Sequence, residues 1–365
     1  PQKNIANNIN FRNIIINGDM SIAQRSTSKT GVGNGDSGYH TVDRFKFEEN
    51  GAPTGEFTMS QDTDVPSGEG FSNSLKLDCT TADTALASGD FGSIQQKIEA
   101  QNLQYLKFGT SSANSITLSF WVKSTKTGTY QVNMRNQDNA STFSQTYSIS
   151  SSDTWQKVTM TFTGDTGNAF NNDNGEGIRL EWVLFAGTDY TSGTFASTWN
   201  DNLNNNVRGV NHAVNLLDST SNDWYITGIQ LEAGEVASDF EFLPFDVTYR
   251  RCCRYYKQVG GAISTTRPEQ IKNQYAGGTQ STFNNTVFFN LLDFNAVDMR
   301  ASPTLGESGD IFITNFSSNQ RTVNSATTNN FSMVGIGYSG SKLSNATSQG
   351  LNFNSGSKLT IDAEL

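Results

Sequence analysis

Apolar and polar residues alternate with a period of two over much of this chain. Residues 115–123 place Ile116, Leu118, Phe120 and Val122 on one side of an extended backbone, and residues 128–135 do the same with Tyr130, Val132 and Met134. The pattern recurs at 41–48, 74–79, 155–163 (Trp155, Val158, Phe162), 177–186 (Ile178, Leu180, Trp182, Leu184) and 223–232 (Trp224, Ile226, Ile229, Leu231). Successive strand side chains point to opposite faces, so each segment predicts a strand with one apolar face. The β-branched run 12–17 reads as an opening strand, 92–99 as a weaker one, and 57–60 as a short one. Only 98–105 and 246–253 read as helical, the second after Pro244 and with Arg250, Arg251 and Arg254 near its end, where cations suit the helix dipole.

Turn residues separate the strands, and helices are nearly absent, which predicts an all-β protein. The expected organisation is an N-terminal tail at 1–10, a β-sandwich or jelly roll at 11–243, a short helical junction at 244–254, and a smaller C-terminal β domain at 255–365. Strands in that last domain are expected at 286–294, 310–316, 331–338 and 358–365. No repeat of fixed period is present, so a propeller or β-helix is not expected. Two polar segments, 189–211 and 317–330, exceed the length of ordinary hairpin connections, and long loops on a rigid scaffold are where binding residues concentrate.

Composition sharpens this picture. Aromatic residues make up 11% of the chain and charged residues only 16%, with Asn, Ser, Thr and Gly in their place; that mixture favours short strands and polar loops. The net charge is −10 and no basic stripe appears, so a nucleic-acid partner is not expected. Three cysteines, Cys79, Cys252 and Cys253, make neither a disulfide framework nor a metal-ligand pattern, as befits assembly in a reducing cytoplasm. No stretch approaches the roughly 18 to 20 apolar residues of a membrane helix, and residues 1–11 do not read as a secretion signal, so membrane insertion is not expected.

Four local patterns carry a resemblance. The first is Asn13-Ile-Ile-Ile-Asn-Gly-Asp-Met-Ser-Ile-Ala-Gln-Arg25, followed by Tyr39 and Val42-Asp-Arg-Phe45, with Phe45 where a Trp is usual. The second is Trp224-Tyr-Ile-Thr-Gly-Ile-Gln-Leu-Glu-Ala-Gly-Glu-Val-Ala-Ser-Asp-Phe-Glu-Phe242, and the third is Cys253-Arg-Tyr-Tyr256. The fourth is Met299-Arg-Ala-Ser-Pro-Thr304, with the ending Ile361-Asp-Ala-Glu-Leu365. In this order they resemble virion and tail-fibre-like proteins of tailed bacteriophages. Residues 116–185 are also similar to the jelly rolls of carbohydrate-binding modules. The resemblance implies a protein of the virion, assembled in the host cytoplasm, with other virion proteins and a host surface glycan as partners.

Candidate chemistry is sparse. His40 and His212 lack any metal or nucleophile context, so no catalytic residue is expected. Carboxylates such as Glu48, Glu49, Glu176, Glu181 and Asp189 could in principle supply a polysaccharide-cleaving pair, as they could in any acidic protein. A tryptophan on an alternating strand is by default core, which applies to Trp121, Trp155, Trp182 and Trp224. Trp199 differs, because it sits in a polar stretch. Together with Tyr190, Phe195, Asn200 and Asp201 it makes the 189–211 segment the expected ligand-binding loop, with rings for stacking and amides for sugar hydroxyls. No cofactor is expected apart from a structural calcium, which the jelly-roll resemblance would place at Asp19 and Glu232. Arg250, Arg251 and Arg254 are expected either to pair within the junction, with Asp239 or Glu241, or to form a subunit contact.

Three functions compete: a non-enzymatic tail-fibre or host-recognition protein, a capsid or tail decoration protein binding only other virion proteins, and a polysaccharide depolymerase. A cysteine-poor β protein that works outside cells gains from burying its sheet edges against copies of itself, so a closed homo-oligomer, a trimer first, is expected.

Overall fold

The computed structural model describes residues 11–201, 203–260, 286–290, 304–308, 311–314, 320–329, 333–338, 350–353 and 358–365. The chain divides into two units, the first reaching Tyr249 and the second running from Arg250 to Glu364.

The first unit is an antiparallel β-sandwich. Its strands are β1 (Ser28–Gly33), β2 (Lys46–Asn50), β3 (Glu56–Asp62), β4 (Ser74–Thr81), β5 (Phe91–Glu99), β6 (Ile116–Ser124), β7 (Gly128–Asn136), β8 (Ser141–Ile149), β9 (Gln156–Phe162), β10 (Glu176–Ala186) and β11 (Asp223–Ala233). A six-stranded sheet has the order β1-β3-β4-β11-β6-β9, and a five-stranded sheet the order β2-β5-β10-β7-β8. The chain crosses repeatedly from one sheet to the other, as a jelly roll requires. Between them lies one core that includes Phe47, Phe57, Leu77, Phe120, Trp182 and Trp224, all fully buried.

Several elements differ from the sequence expectation. The predicted strand at 41–48 begins only at Lys46, because Arg44 adopts a left-handed φ of 74° that breaks the extended run. β8 was not predicted, since its Ser and Thr outnumber its buried rings Phe143 and Tyr147. The helix expected at 98–105 is a 3-10 helix at Ala100–Leu106 that follows β5 directly. The run 12–17 is not a strand at all.

That run is instead a plug against β11, and its backbone is satisfied one group at a time. Ile14 N–H donates to Leu231 O at 2.8 Å, Ile15 N–H to Asn13 Oδ1 at 3.0 Å, and Ile16 N–H to Gln96 Oε1 at 3.0 Å. Asn13 also donates to Ile229 O and accepts from Leu231 N–H, bracketing the bulge in β11 between Thr227 and Gln230. Asn17, at φ 63°, donates to Ile22 O and Asp43 O. A Cβ at Gly18 would lie 2.1 Å from Ile229 O, so only glycine fits there. Gln24 grips both oxygens of Asp43. At the far end Glu241 accepts from Phe11 N–H and Asn13 N–H, and Gln230 holds Glu241 N–H. The residues at 13–25, 43 and 230–241 thus form one largely buried polar network that closes the sandwich. Buried polar groups are tolerated only when paired in this way.

α2 (Phe245–Cys253) follows, where a helical turn was expected, with α1 (Thr188–Thr191) as the other short helix. The second unit has strands β12 (Tyr256–Gly260), β13 (Thr286–Asn290), β14 (Thr304–Ser308), β15 (Ile311–Thr314), β16 (Gln320–Asn329), β17 (Met333–Tyr338), β18 (Gly350–Phe353) and β19 (Lys358–Asp362). They form sheets of order β12-β19-β14 and β13-β17-β16-β15-β18. The expected polar loop at 317–330 is therefore mostly strand. β16 is rich in Thr and Ser, which suit a pleated backbone without showing apolar alternation. Residues 317–319 and 330 lie outside the described residues, as do 299–303 of the Met299–Thr304 pattern.

Candidate functional site on the outer face of the six-stranded sheet

Alternation on β6 decides what faces solvent here. Ile116, Leu118, Phe120 and Val122 are buried in the core, so Ser119, Trp121 and Lys123 point outward. Register fixes their neighbours: Trp121 lies opposite Lys157 on β9 and Thr227 on β11, and Lys123 lies opposite Tyr225. Trp121 is half-buried and Lys157 is exposed.

Over Trp121 the 68–71 loop and the 239–242 segment enclose a pocket of about 180 Å³. Phe71, Trp121, Phe240 and Phe242 give it ring surfaces, and Glu69, Ser119, Lys157 and Asp239 give it polar groups. The three phenylalanines hold one another, with centroids 5.0 Å (Phe71 to Phe240), 5.2 Å (Phe71 to Phe242) and 4.8 Å (Phe240 to Phe242) apart. The bulge in β11 places Gly228 at φ 61°, where a Cβ would meet the Phe71 ring at 2.6 Å. Glycine at this point keeps Phe71 seated at the pocket floor.

A second aromatic station lies on the same face. Trp155 Nε1 donates to Asp64 Oδ1 at 2.9 Å, and its ring lies 6.1 Å from that of Tyr225. Lys123 Nζ sits 4.4 Å over the Tyr225 ring and pairs with Asp64 at 2.5 Å and Asp153 at 2.7 Å. Burial works against the Lys123 charge, but the hydrogen bonds it donates to Asp153 and Asp64 outweigh it and raise the ammonium pKa above its ordinary value. Aromatic faces beside fixed donors and acceptors can hold a polyhydroxylated ligand.

The expected ligand-binding segment has another role. Residues 187–201 and 203–213 form a strap over the polar outer face of the five-stranded sheet. Tyr190 is 5% exposed and stacks on Phe91 at 4.6 Å, so it offers no face to a ligand. Trp199 donates from Nε1 to Thr163 O at 2.6 Å and sets its ring against Phe108 and Phe143 at 5.5 and 5.9 Å. Phe195 is half-buried. Asn200 pairs its backbone with Thr142, and Asp201 accepts from Asn168. These residues pin the strap down, and the structure does not gather them into one binding surface.

Beneath the strap is a buried charge cluster. Arg208 reaches Glu181 with Nε at 3.1 Å and a second nitrogen at 2.9 Å, while its guanidinium lies 3.9 Å over the Phe91 ring. Arg135 and Arg179 stand 3.5 and 3.9 Å from the same carboxylate, and Gln95 and Asn133 also donate to it. Burial alone would push the Glu181 carboxyl up. Arg208, Arg135 and Arg179 outweigh it and hold it at about 2. A carboxyl held this low is no proton donor near neutral pH.

The other acids are engaged as well. Glu48 pairs with Lys46, Glu176 with Lys97 and Arg179, Glu49 accepts from Gly35 N–H, and Asp189 accepts from Ser88. His212 lies against Tyr130 at 5.6 Å, and burial lowers its pKa to about 4. His40 is also lowered, by burial first, despite Asp36 at 3.8 Å.

Asp19 and Glu232 each have partners within the protein. Asp19 accepts from Ser21, and burial raises its pKa. Glu232 accepts from Gln230 Nε2 and from the backbone and hydroxyl of Ser238. Among the described residues no group of three or more His, Cys, Asp or Glu is placed to hold a metal, whereas calcium takes six to eight oxygens. Arg250 and Arg251 occupy the last turn of α2, and Arg254 follows it. The Glu241 carboxylate is taken by Phe11 and Asn13.

Neither a family model nor a curated protein matches this chain. Solved structures do. The enzymatically active domain of tailspike protein 4 from bacteriophage CBA120 is 15% identical with a TM-score of 0.31, over 61% of this chain and 22% of that one, so this chain spans about a fifth of its length. A family 11 carbohydrate-binding module from Clostridium thermocellum, in complex with a β-1,3-1,4-mixed-linked tetrasaccharide, is 7% identical with a TM-score of 0.28, over 58% and 99%. The module TmCBM61, in complex with β-1,4-galactotriose, is 10% identical with a TM-score of 0.28, over 61% and 99%.

Proposed function

We propose that this protein is a non-enzymatic binding component of a tailed-phage virion, of the tail-fibre or host-recognition kind, which holds a cell-surface glycan on the outer face of its six-stranded sheet. One observation carries the binding part of this reading: Trp121, of outward parity on β6, lines a pocket of ring faces and polar groups. The virion part rests on the sequence patterns, and a closed homo-oligomer, a trimer first, belongs to it. The basic residues Arg250, Arg251 and Arg254 are its proposed subunit contacts. Light scattering that gave a strict monomer at micromolar concentration would remove the oligomer.

Trp121→Ala is expected to lower adsorption of the protein to host cells at least tenfold, with its melting temperature held within a few degrees. Unchanged adsorption would refute the pocket as receptor site. The second reading, a capsid or tail decoration protein, has its own observation. Phe245 and Tyr249 on α2 are 66% and 40% exposed and stack on each other at 6.2 Å, a surface suited to protein contact. Under that reading Trp121→Ala leaves adsorption unchanged, and Phe245→Ala with Tyr249→Ala blocks incorporation into particles.

A further inference from the structure

The two tryptophans on the outer face are close enough to serve one ligand. β9 runs antiparallel to β6, with Lys157 opposite Trp121 and Gln156 opposite Val122, and Trp155, just before β9, lies beside Lys123, whose Nζ is 6.0 Å from its ring centroid. Trp155 is therefore one strand across from Trp121 and two residues along, a Cα separation of about 8 Å from strand spacing and rise. Its ring is fixed before any ligand arrives, by the bond from Nε1 to Asp64 and by the ring of Tyr225. A ring already held in place costs little entropy when a ligand stacks on it.

Charge along this path is unbalanced. Glu69 and Asp239 line the pocket, and Asp64 and Asp153 stand beside Trp155. Against these four carboxylates, Lys123 is already paired with two, Lys76 beside Tyr225 is paired with a further carboxylate, Asp78, and Lys157 is exposed. A chain of uronic acids would meet net repulsion here, whereas neutral hydroxyls can both donate to the carboxylates and accept from Lys157. We infer that the glycan site extends from the Trp121 pocket to Trp155 and takes a neutral oligosaccharide laid across β6 and β9 with one sugar on each tryptophan. This inference rests on the outer-face reading proposed above.

The test is an array of neutral bacterial oligosaccharides of one to six sugars, with uronic-acid-bearing chains of the same lengths, probed with the full chain. Wild type is expected to bind the neutral series, trisaccharides about tenfold more tightly than monosaccharides. Trp155→Ala should remove that gain and leave monosaccharide binding intact, Trp155→Phe should keep most of it, and Trp121→Ala should abolish binding to all. If Trp155→Ala binds trisaccharides like wild type while Trp121→Ala does not, the extension is wrong and the pocket stands. A preference for the acidic chains would overturn the ligand class. Binding of wild type to nothing on the array would sink the extension and the outer-face reading together. Melting curves guard against misfolding, and Trp155→Phe keeps the test open should the alanine variant unfold.

Discussion

Glu181 and His212 are the fully buried acid and imidazole through which pH should reach this fold most strongly. The Glu181 carboxyl is held at about 2, below its ordinary 4.5, so the ion pairs stabilise the folded state above pH 4.5 and that stability is lost as pH falls toward 2. His212 is neutral in the fold down to about pH 4, whereas in the unfolded chain it takes a proton near 6.5. Between those values the unfolded state binds more protons, so stability falls with falling pH there too, by at most about 3 kcal/mol. Denaturant midpoints measured from pH 8 to pH 3 should therefore decline from about pH 6.5 downward. His212→Phe, which can still pack on Tyr130, should flatten the limb between 6.5 and 4 and leave the lower one. A midpoint independent of pH over this range would contradict both assignments. Removing a partner from the buried pair is a harsher change. Arg208→Ala strands Glu181 without its bidentate contact, and losses from breaking buried pairs run to about 3 to 5 kcal/mol.

Parity is what made most of the elements legible. The spacing of Ile116, Leu118, Phe120 and Val122 predicts β6, and by the same spacing Trp121 must face outward. Treating strand tryptophans as core holds for Trp182 and Trp224, both fully buried, but not for Trp121 and Trp155. The signal for the site was thus in the sequence, in the odd positions of β6 and of the run that leads into β9. The strap was not legible. That residues 203–208 lie on Gln131, Asn133 and Arg135 depends on side-chain bonds to Val207 O, Arg208 O and Leu203 O, which have no local pattern. Nor was the 12–17 plug, because a β-branched run paired through amide side chains looks like a strand until its partners are seen. Asn13 is the centre of that element, bonded to Ile15 N–H, Ile229 O and Leu231 N–H. Asn13→Ala leaves three buried backbone groups unpaired and should cost at least about 3 kcal/mol in denaturant unfolding, at roughly 1 to 3 kcal/mol per orphaned group. Asn13→Asp, which keeps the acceptor but loses the donor to Ile229 O, should fall between. A loss below half a kcal/mol for the alanine variant would show that water replaces these bonds and that the plug does not hold the bulge.

At the scale of the whole molecule, the division of the chain into two units falls within α2, since the first reaches Tyr249 and the helix runs from Phe245 to Cys253. The sandwich core, by contrast, is complete before the helix begins. Its final closing contacts come from Gln230 and Glu241, with Glu241 accepting from Phe11 and Asn13 on the opening segment. Where the chain can be cut follows from these bonds. A chain of residues 11–244 keeps Glu241, Phe240 and Phe242, and should fold alone with one cooperative transition and bind the same glycans as the full chain. A chain of residues 11–239 loses the acceptor for two backbone N–H groups and two of the pocket's four rings. It should melt several degrees lower, given that about 1 kcal/mol shifts Tm by roughly 2 to 4 °C in a domain of this size. It should also lose glycan binding outright. Calorimetry on the two truncated chains and the full chain decides the matter: if residues 11–244 give no cooperative transition, the first unit is not an autonomous domain, and if both truncations melt alike, the Glu241 closure does not stabilise the sandwich.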